Sequence, residues 1–226
     1  MSTKDLRSNG ISALLFDLDG TLVDTAPDFV AVLNQQRNDF GLDSLPEKDI
    51  RNVVSDGARA LIKLAFGGNE NEPEFQRKRQ DLLDRYKVTV GDNAQLFDGM
   101  SVVLSRFEEI GIPWGIITNK PRLYTDILLD KLGLSSKSAL TLCPDDVSKP
   151  KPDPEIMNLA SKLLSIDLEK AVYVGDHIRD IQAGKSARMI TVAASYGYVN
   201  DKNSISGWGA DYEIDHPSEI ISLFIP

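Results

Sequence analysis

Four aspartates, placed in two short polar segments, are the residues of this sequence best suited to chemistry. They are Asp17, Asp19, Asp176 and Asp180. Each pair follows an apolar segment, 11–16 or 171–174, that is typical of a buried parallel strand. Because ligands bind outside the carboxyl ends of such strands, we expect all four carboxylates to gather at one edge of a sheet. Their mutual repulsion calls for a bound cation, and an all-oxygen set favours Mg²⁺ over Ca²⁺.

A carboxylate can also act as a nucleophile and form an aspartyl-phosphate. Asp17 and Asp19 are two residues apart, so one could attack phosphorus while the other handles the proton of the leaving group. Phosphoryl transfer also needs cations and hydrogen-bond donors around the equatorial oxygens of phosphorus. Thr118, at the end of a further apolar segment, offers a hydroxyl, and Lys151 offers a compact charge.

Two kinds of hydrophobic pattern divide the chain into the elements that must position these groups. From Gly99 onwards, strand patterns alternate with helical ones, and the last predicted strand, at 211–214, lies at an edge. This alternation predicts an α/β fold with a parallel sheet and helices on both faces. Between residues 41 and 95 the apolar spacing is helical throughout, which predicts an all-helical insertion after the first strand. Thr25 is the expected N-cap of its first helix.

The polar segments resemble, in order, the four motifs of the haloacid dehalogenase superfamily of phosphatases. The first motif, DxDGT, is formed by Asp17, Asp19, Gly20 and Thr21, and the threonine of the second motif is Thr118. The lysine of the third motif is Lys151, which precedes Pro152 and Pro154, and the fourth motif is formed by Gly175, Asp176 and Asp180. The resemblance spans essentially the whole chain. It implies a Rossmann-like α/β core at 1–24 and 96–226 and a helical cap, here meaning residues 25–95.

The resemblance also implies a role for each motif residue. Asp17 is the expected nucleophile and Asp19 the general acid and base. Mg²⁺ is expected on Asp17, on the carbonyl of Asp19 and on Asp176, with Asp180 supporting the ligands from behind. Thr118, Asn119 and Lys151 are the expected phosphate-binding residues.

Within the superfamily the chain resembles the phosphoglycolate phosphatase branch, and five stretches are similar to the N-acetylmuramic acid 6-phosphate phosphatases. They are 25–29, 55–60, 114–121, 143–145 and 208–217. This similarity implies a small phosphorylated metabolite as substrate, either N-acetylmuramic acid 6-phosphate or 2-phosphoglycolate. Both are anionic beyond the phosphate, so a basic residue that reads the substrate is expected. Arg59 and Lys63, four residues apart on a predicted helix at 55–66, are candidates on the cap, and Lys120 and Arg179 are candidates at its mouth.

Several alternatives stay open at this point. A sugar phosphomutase of the β-phosphoglucomutase kind uses the same intermediate, although Val usually stands there where this chain has Thr21. A haloacid dehalogenase needs no second aspartate, so Asp19 counts against that reaction. A catalytically silent binding module would lack a nucleophile or a lysine, and neither is missing. Lys149 competes with Lys151 for the role of the motif lysine.

The composition of the chain argues against some classes of binding partner and some cellular locations. The 226 residues include 25 Lys and Arg against 34 Asp and Glu, and a net charge of −9 argues against nucleic-acid binding. No apolar run reaches the ~18 residues of a membrane span, and residues 1–10 do not read as a signal peptide. The single cysteine, Cys143, excludes an internal disulfide and is expected to be a small buried hydrophobe. These features predict a cytoplasmic protein, and they leave its oligomeric state open.

Overall fold

A six-stranded, all-parallel sheet lies at the centre of the molecule, for which a computed structural model describes residues 10–200 and 202–225. From edge to edge its strands are β5 (Thr141–Leu142), β4 (Trp114–Ile117), β1 (Ala13–Phe16), β6 (Ala171–Gly175), β7 (Ile190–Ala194) and β8 (Tyr212–Ile214). The predicted edge position of the last strand is confirmed. The central strands β1 and β6 are buried along their whole length, which is why they read as unbroken apolar runs.

Helices cover both faces of this sheet, as the alternating pattern predicts. They are α5 (Met100–Glu109), α6 (Arg122–Lys131), α7 (Glu155–Leu164), α8 (Ile178–Ser186) and α9 (Glu219–Phe224). Leu14 and Phe16 of β1 belong to one hydrophobic cluster, with α5, α6 and α9, whereas Ala13 and Leu15 belong to the opposite one, with α7 and α8. Successive side chains of a strand point to opposite faces, so one short strand ties both layers together.

Four helices occupy the predicted helical insertion. They are α1 (Ala26–Asp39), α2 (Glu47–Arg51), α3 (Ala58–Phe66) and α4 (Pro73–Thr89). A two-stranded antiparallel ribbon, β2 (Val23–Asp24) and β3 (Gln95–Leu96), closes the insertion where it leaves and rejoins the core. The sequence does not predict this ribbon, because two residues are too short to show alternation. The division of the chain into a core and a cap stays a prediction.

Two local expectations need correction, and one helix is unexpected. Thr25 stands at the N-cap of α1 as expected, but its hydroxyl makes no capping bond and donates to Asp19 instead. The predicted helix at 55–66 begins only at Ala58, because Gly57 has a φ of +81° and follows a short 3₁₀ turn at Val54–Asp56. Helix α9 is not anticipated by the sequence pattern.

Residues 1–9, on which the expectation about a signal peptide mainly rests, lie outside the described residues. In the part of the chain that is described, no helix has both the length and the apolar character needed to cross a bilayer.

Candidate active site

Asp17 lies where β1 ends and its backbone leaves the sheet. Its Oδ1 atom accepts a hydrogen bond from the amide of Leu18 at 2.7 Å and lies 3.0 Å from the Nζ atom of Lys151. Burial opposes ionisation of Asp17, but the nearby charges of Lys151 and Arg179 outweigh it and hold its pKa below the ordinary value. Asp17 is therefore an ionised carboxylate at the floor of the site, as a nucleophile has to be.

Lys151, the expected motif lysine, has a fully buried ammonium. Its Nζ atom lies 2.7 Å from Asp180 Oδ1 and donates to the carbonyl of Ile117 at 3.0 Å. Burial lowers the pKa of Lys151, but the carboxylates of Asp17 and Asp180 outweigh this effect and raise it above the ordinary value. Lys149 is excluded as its rival, because that side chain is 72% exposed and only approaches Asp153, at 3.8 Å.

Asn119 positions this lysine through its side-chain amide. Its Nδ2 donates to the carbonyl of Lys151 at 2.9 Å, and its Oδ1 accepts from the amide of Lys151 at 3.1 Å. Both ends of the amide are thus engaged by one peptide segment. Its neighbour Thr118 is buried, lines the cavity described below and accepts a bond from the amide of Lys120 through its hydroxyl oxygen.

Three buried carboxylates come together at the ends of β1 and β6. Oxygens of Asp17, Asp176 and Asp180 all lie within 4.8 Å of one another. Burial and the charges of the other two carboxylates raise the pKa of Asp176 to about 8, and burial also raises the pKa of Asp180. Lys151 pairs with Asp17 and Asp180, whereas no salt bridge of the described residues involves Asp176, so positive charge is short at that carboxyl. An all-oxygen, buried and electron-rich set of this kind fits a hard divalent cation such as Mg²⁺.

Asp176 is held by donors from three separate segments. Its Oδ2 accepts from the hydroxyl of Ser55 at 3.0 Å and from the amide of Tyr198 at 2.9 Å, and its Oδ1 lies 3.3 Å from the hydroxyl of Thr21. Gly20 has a φ of +80°, and a Cβ atom there would collide with the carboxylate of Asp176. This close approach requires the glycine of the first motif.

The side chain of Asp19 does not join the cluster, which corrects the expectation of four converging carboxylates. Its Oδ1 accepts from the Thr25 hydroxyl at 2.6 Å and from the Nζ atom of Lys120 at 2.9 Å. These two partners direct the carboxylate towards the cap. An aspartate held there, apart from the other carboxylates, is suited to proton transfer.

Lys120 is buried between the core and the cap rather than exposed at a mouth. Its Nζ atom donates to the hydroxyl of Tyr86 at 2.8 Å and lies 4.8 Å from the centroid of that ring and 5.3 Å from the centroid of Phe29. Such cation–π contacts stabilise a desolvated ammonium. Lys120 thus connects the carboxylate of Asp19 to two aromatic residues of the cap.

A second set of contacts joins the cap to the start of α8. The guanidinium of Arg179 donates to the carbonyl of Ser55, and the imidazole of His177 lies 3.4 Å from Asp56. His177 is also the N-cap of α8, because its Nδ1 atom accepts from the amide of Arg179 at 3.2 Å. Asp180 completes the N-terminal capping box of α8, because its Oδ2 atom accepts from the amide of His177.

A cavity of about 640 Å³ opens above Asp17 and Asp19, between the core and the cap. Arg59 and Arg179 line it, whereas Lys63 is exposed and does not. Arg79, Tyr86 and Tyr124 also line it, and none of them was a candidate from the sequence. The spacing of Arg79, Leu83 and Tyr86 along α4 places them on one helical face, a signal that could have identified that face.

Comparisons with known proteins agree with this geometry. Residues 14–194 match the family model described as haloacid dehalogenase-like hydrolase. The chain is 41% identical over 213 residues to an N-acetylmuramic acid 6-phosphate phosphatase of Pseudomonas aeruginosa, covering 94% of each chain. It is 38% identical to a phosphoglycolate phosphatase of Xanthomonas campestris pv. campestris, covering 92% of this chain and 94% of the other. A crystal structure from Haemophilus somnus, described as a predicted phosphoglycolate phosphatase, shares the fold with a TM-score of 0.82 at 24% identity, covering 94% and 97% of the two chains.

Proposed function

The chain belongs to the haloacid dehalogenase-like hydrolases and is a phosphoric monoester hydrolase, and we propose that it is a Mg²⁺-dependent phosphatase acting through an aspartyl-phosphate. The observation that carries this proposal is the buried cluster of Asp17, Lys151, Asp176 and Asp180, in which Asp17 is the member that lines the cavity. It supplies a nucleophile, a fixed cation and a set of carboxylate ligands within a few ångströms.

Asp17 attacks the phosphorus atom of the substrate. The bond from phosphorus to the substrate alcohol breaks, and the new bond joins phosphorus to the Asp17 carboxylate. Asp19, held by Thr25 and Lys120, gives the departing alkoxide its proton. It then takes a proton from a water molecule, which attacks the aspartyl-phosphate and releases inorganic phosphate.

Lys151 and Thr118 carry the charge and the hydroxyl expected at the phosphate oxygens, and Asn119 keeps Lys151 in place. Asp17 and Asp176, with the carbonyl of Asp19, would hold Mg²⁺, and Asp180 would support them while it binds Lys151. When bound, the ion supplies positive charge that offsets the phosphoryl and carboxylate charges.

We propose N-acetylmuramic acid 6-phosphate as the substrate. The cavity of about 640 Å³ supports this choice, because pockets of ~300–1,000 Å³ take drug-sized ligands. A two-carbon acid such as 2-phosphoglycolate would leave most of this volume to water. The similarity to the Pseudomonas aeruginosa enzyme supports the same choice.

Steady-state release of phosphate from the two candidate substrates, with Mg²⁺ and with EDTA, tests the proposal. We expect a higher kcat/KM for N-acetylmuramic acid 6-phosphate and loss of turnover in EDTA. Asp17→Asn should abolish turnover while the fold, followed by circular dichroism, is retained. Turnover by that variant would refute the aspartyl-phosphate, and a preference for 2-phosphoglycolate would refute the substrate. Formation of an isomeric phosphate ester from a sugar 1-phosphate would favour a mutase instead.

A further inference from the structure

Arg79 is a cation without a counter-charge in the wall of the cavity. Its Nε atom is buried and has no hydrogen-bond partner, and no carboxylate of the described residues forms a salt bridge with it. The neighbouring basic residues of α4 are engaged differently: Lys78 pairs with Glu74, and Arg85 pairs with Asp39 and Asp81. A desolvated donor left without an acceptor costs free energy, so its retention needs a compensating partner.

The surroundings of Arg79 indicate what that partner is. The side chain shares one face of α4 with Leu83 and Tyr86, and all three line the cavity. Tyr124 lines the same cavity, and burial and the charge of Asp84 raise its pKa above the ordinary value, although the charge of Arg79 opposes that rise. The described residues offer the Nε atom of Arg79 no acceptor, and an anionic group of a molecule bound in the cavity can supply one.

The phosphate of the substrate is not that group. The proposed phosphate position lies on the core, at Asp17, Thr118 and Lys151, whereas Arg79 belongs to the cap. A substrate that reaches both must be a double anion, with its second charge at the far end. A planar guanidinium is suited to a carboxylate, which it can bind through two parallel hydrogen bonds.

We propose that Arg79 binds the carboxylate of the substrate and thereby selects phosphorylated sugar acids over phosphorylated neutral sugars. This inference rests on the proposed function and extends it, because it assigns the recognition of the acid to one cap residue. Arg59 also lines the cavity but is exposed, so its charge is more strongly screened by water.

Two matched substrates test this assignment. N-acetylmuramic acid 6-phosphate and N-acetylglucosamine 6-phosphate share the ring, the acetamido group and the phosphate, and only the first carries a lactyl carboxylate. Arg79→Ala should lower kcat/KM for the acid by about 30-fold, the loss of one charged hydrogen-bonded contact, and for the neutral sugar by less than about threefold. Arg79→Lys should recover part of the loss, because it keeps the charge without the planar fork.

Arg77→Ala is the control, because Arg77 lies on the same helix with an exposed side chain. It should leave both kcat/KM values unchanged. If Arg79→Ala lowers kcat/KM equally for both substrates, Arg79 has a structural role and the proposal is overturned. The proposal is also overturned if kcat/KM falls for neither substrate.

Binding without turnover separates this inference from the phosphatase proposal. Calorimetry with phosphate-free N-acetylmuramic acid and N-acetylglucosamine needs no chemistry at Asp17. Wild-type protein should bind the acid more tightly than the neutral sugar, and Arg79→Ala should lose that preference. Absence of the preference in wild-type protein would overturn the role of Arg79, whereas absence of phosphate release alone would overturn only the reaction.

Discussion

Replacing Lys151 with Met tests the electrostatic account of the site most directly. The Nζ atom of Lys151 is fully buried, 2.7 Å from Asp180 and 3.0 Å from Asp17, whose side chains are 0% and 6% exposed. Removing one partner of a buried ion pair typically costs ~3–5 kcal/mol, because the remaining charge is left uncompensated. Since domains of this kind are stable by ~5–15 kcal/mol, the variant should still fold and show a measurable unfolding transition.

Urea denaturation in EDTA, followed by tryptophan fluorescence, measures this loss. Trp114 on β4 is 1% exposed and so reports on the core of the sheet. Lys149→Met is the matched control: its ammonium is exposed, and its loss should change the unfolding free energy by less than ~0.5 kcal/mol. The double variant Lys151→Met/Asp180→Asn should be more stable than Lys151→Met alone, because it also removes the carboxylate that has lost its partner.

The dependence on pH gives a second test of the same variant. Burial already raises the pKa of Asp180, and loss of Lys151 raises it further. A group whose folded pKa lies above its unfolded value stabilises the fold at low pH, and this stabilisation is lost as pH rises. The deficit of Lys151→Met should therefore be smaller at about pH 5 than at about pH 8. A deficit below ~1 kcal/mol, or one matched by Lys149→Met, would refute the reasoning.

Three further outcomes follow from the geometry. Gly197→Ala should lower activity at least about tenfold and raise the Mg²⁺ concentration for half-maximal turnover, because the new Cβ atom would collide with Asp176. Gly207→Ala is the control: its Cβ atom would meet nothing within 4 Å, so the same Mg²⁺ titration should be unchanged. Lys120→Met should lower kcat about tenfold or more, and Lys120→Arg should retain part of it because the charge beside Asp19 remains; unchanged kcat at saturating substrate would contradict this role. Burial raises the pKa of Cys143 to about 11, so only ~1 thiol in 1,000 is ionised at pH 8; iodoacetamide followed by mass spectrometry should label it in urea and barely in the native protein.

The strand ends could be predicted from the sequence because burial leaves a simple mark there. Strands β1 and β6 are covered on both faces, so they appear as apolar runs that stop at Asp17 and at Asp176. The parallel pairing of these strands then requires the two ends to meet. The ribbon of β2 and β3 leaves no such mark, since each strand has two residues and one partner.

Side-chain direction within the loops could not be predicted in the same way. Asp17 and Asp19 share the spacing of one strand face, yet the backbone turns at Gly20 and Asp19 bonds to Thr25 and Lys120 instead. The cap residues were harder still. Lys63 and Arg59 look equivalent on a helical projection, and only the packing of α3 against α1 and α4 decides that Arg59 lines the cavity and Lys63 does not.

The site divides into two electrostatic halves with different dependence on the cap. Asp17 and Asp180 pair with Lys151 within the core, and the charge of Arg179, which contacts the cap at Ser55, adds to its effect on both carboxylates. Asp19 and Asp176 instead have partners at the cap boundary: Lys120 is enclosed by cap aromatic rings, and Ser55 donates to Asp176. Displacement of the cap would therefore leave Asp17 paired with Lys151, while it removes Ser55 from Asp176 and the enclosing rings from Lys120, the partner of Asp19. In the proposed mechanism, this arrangement would confine proton transfer by Asp19 to the closed cavity.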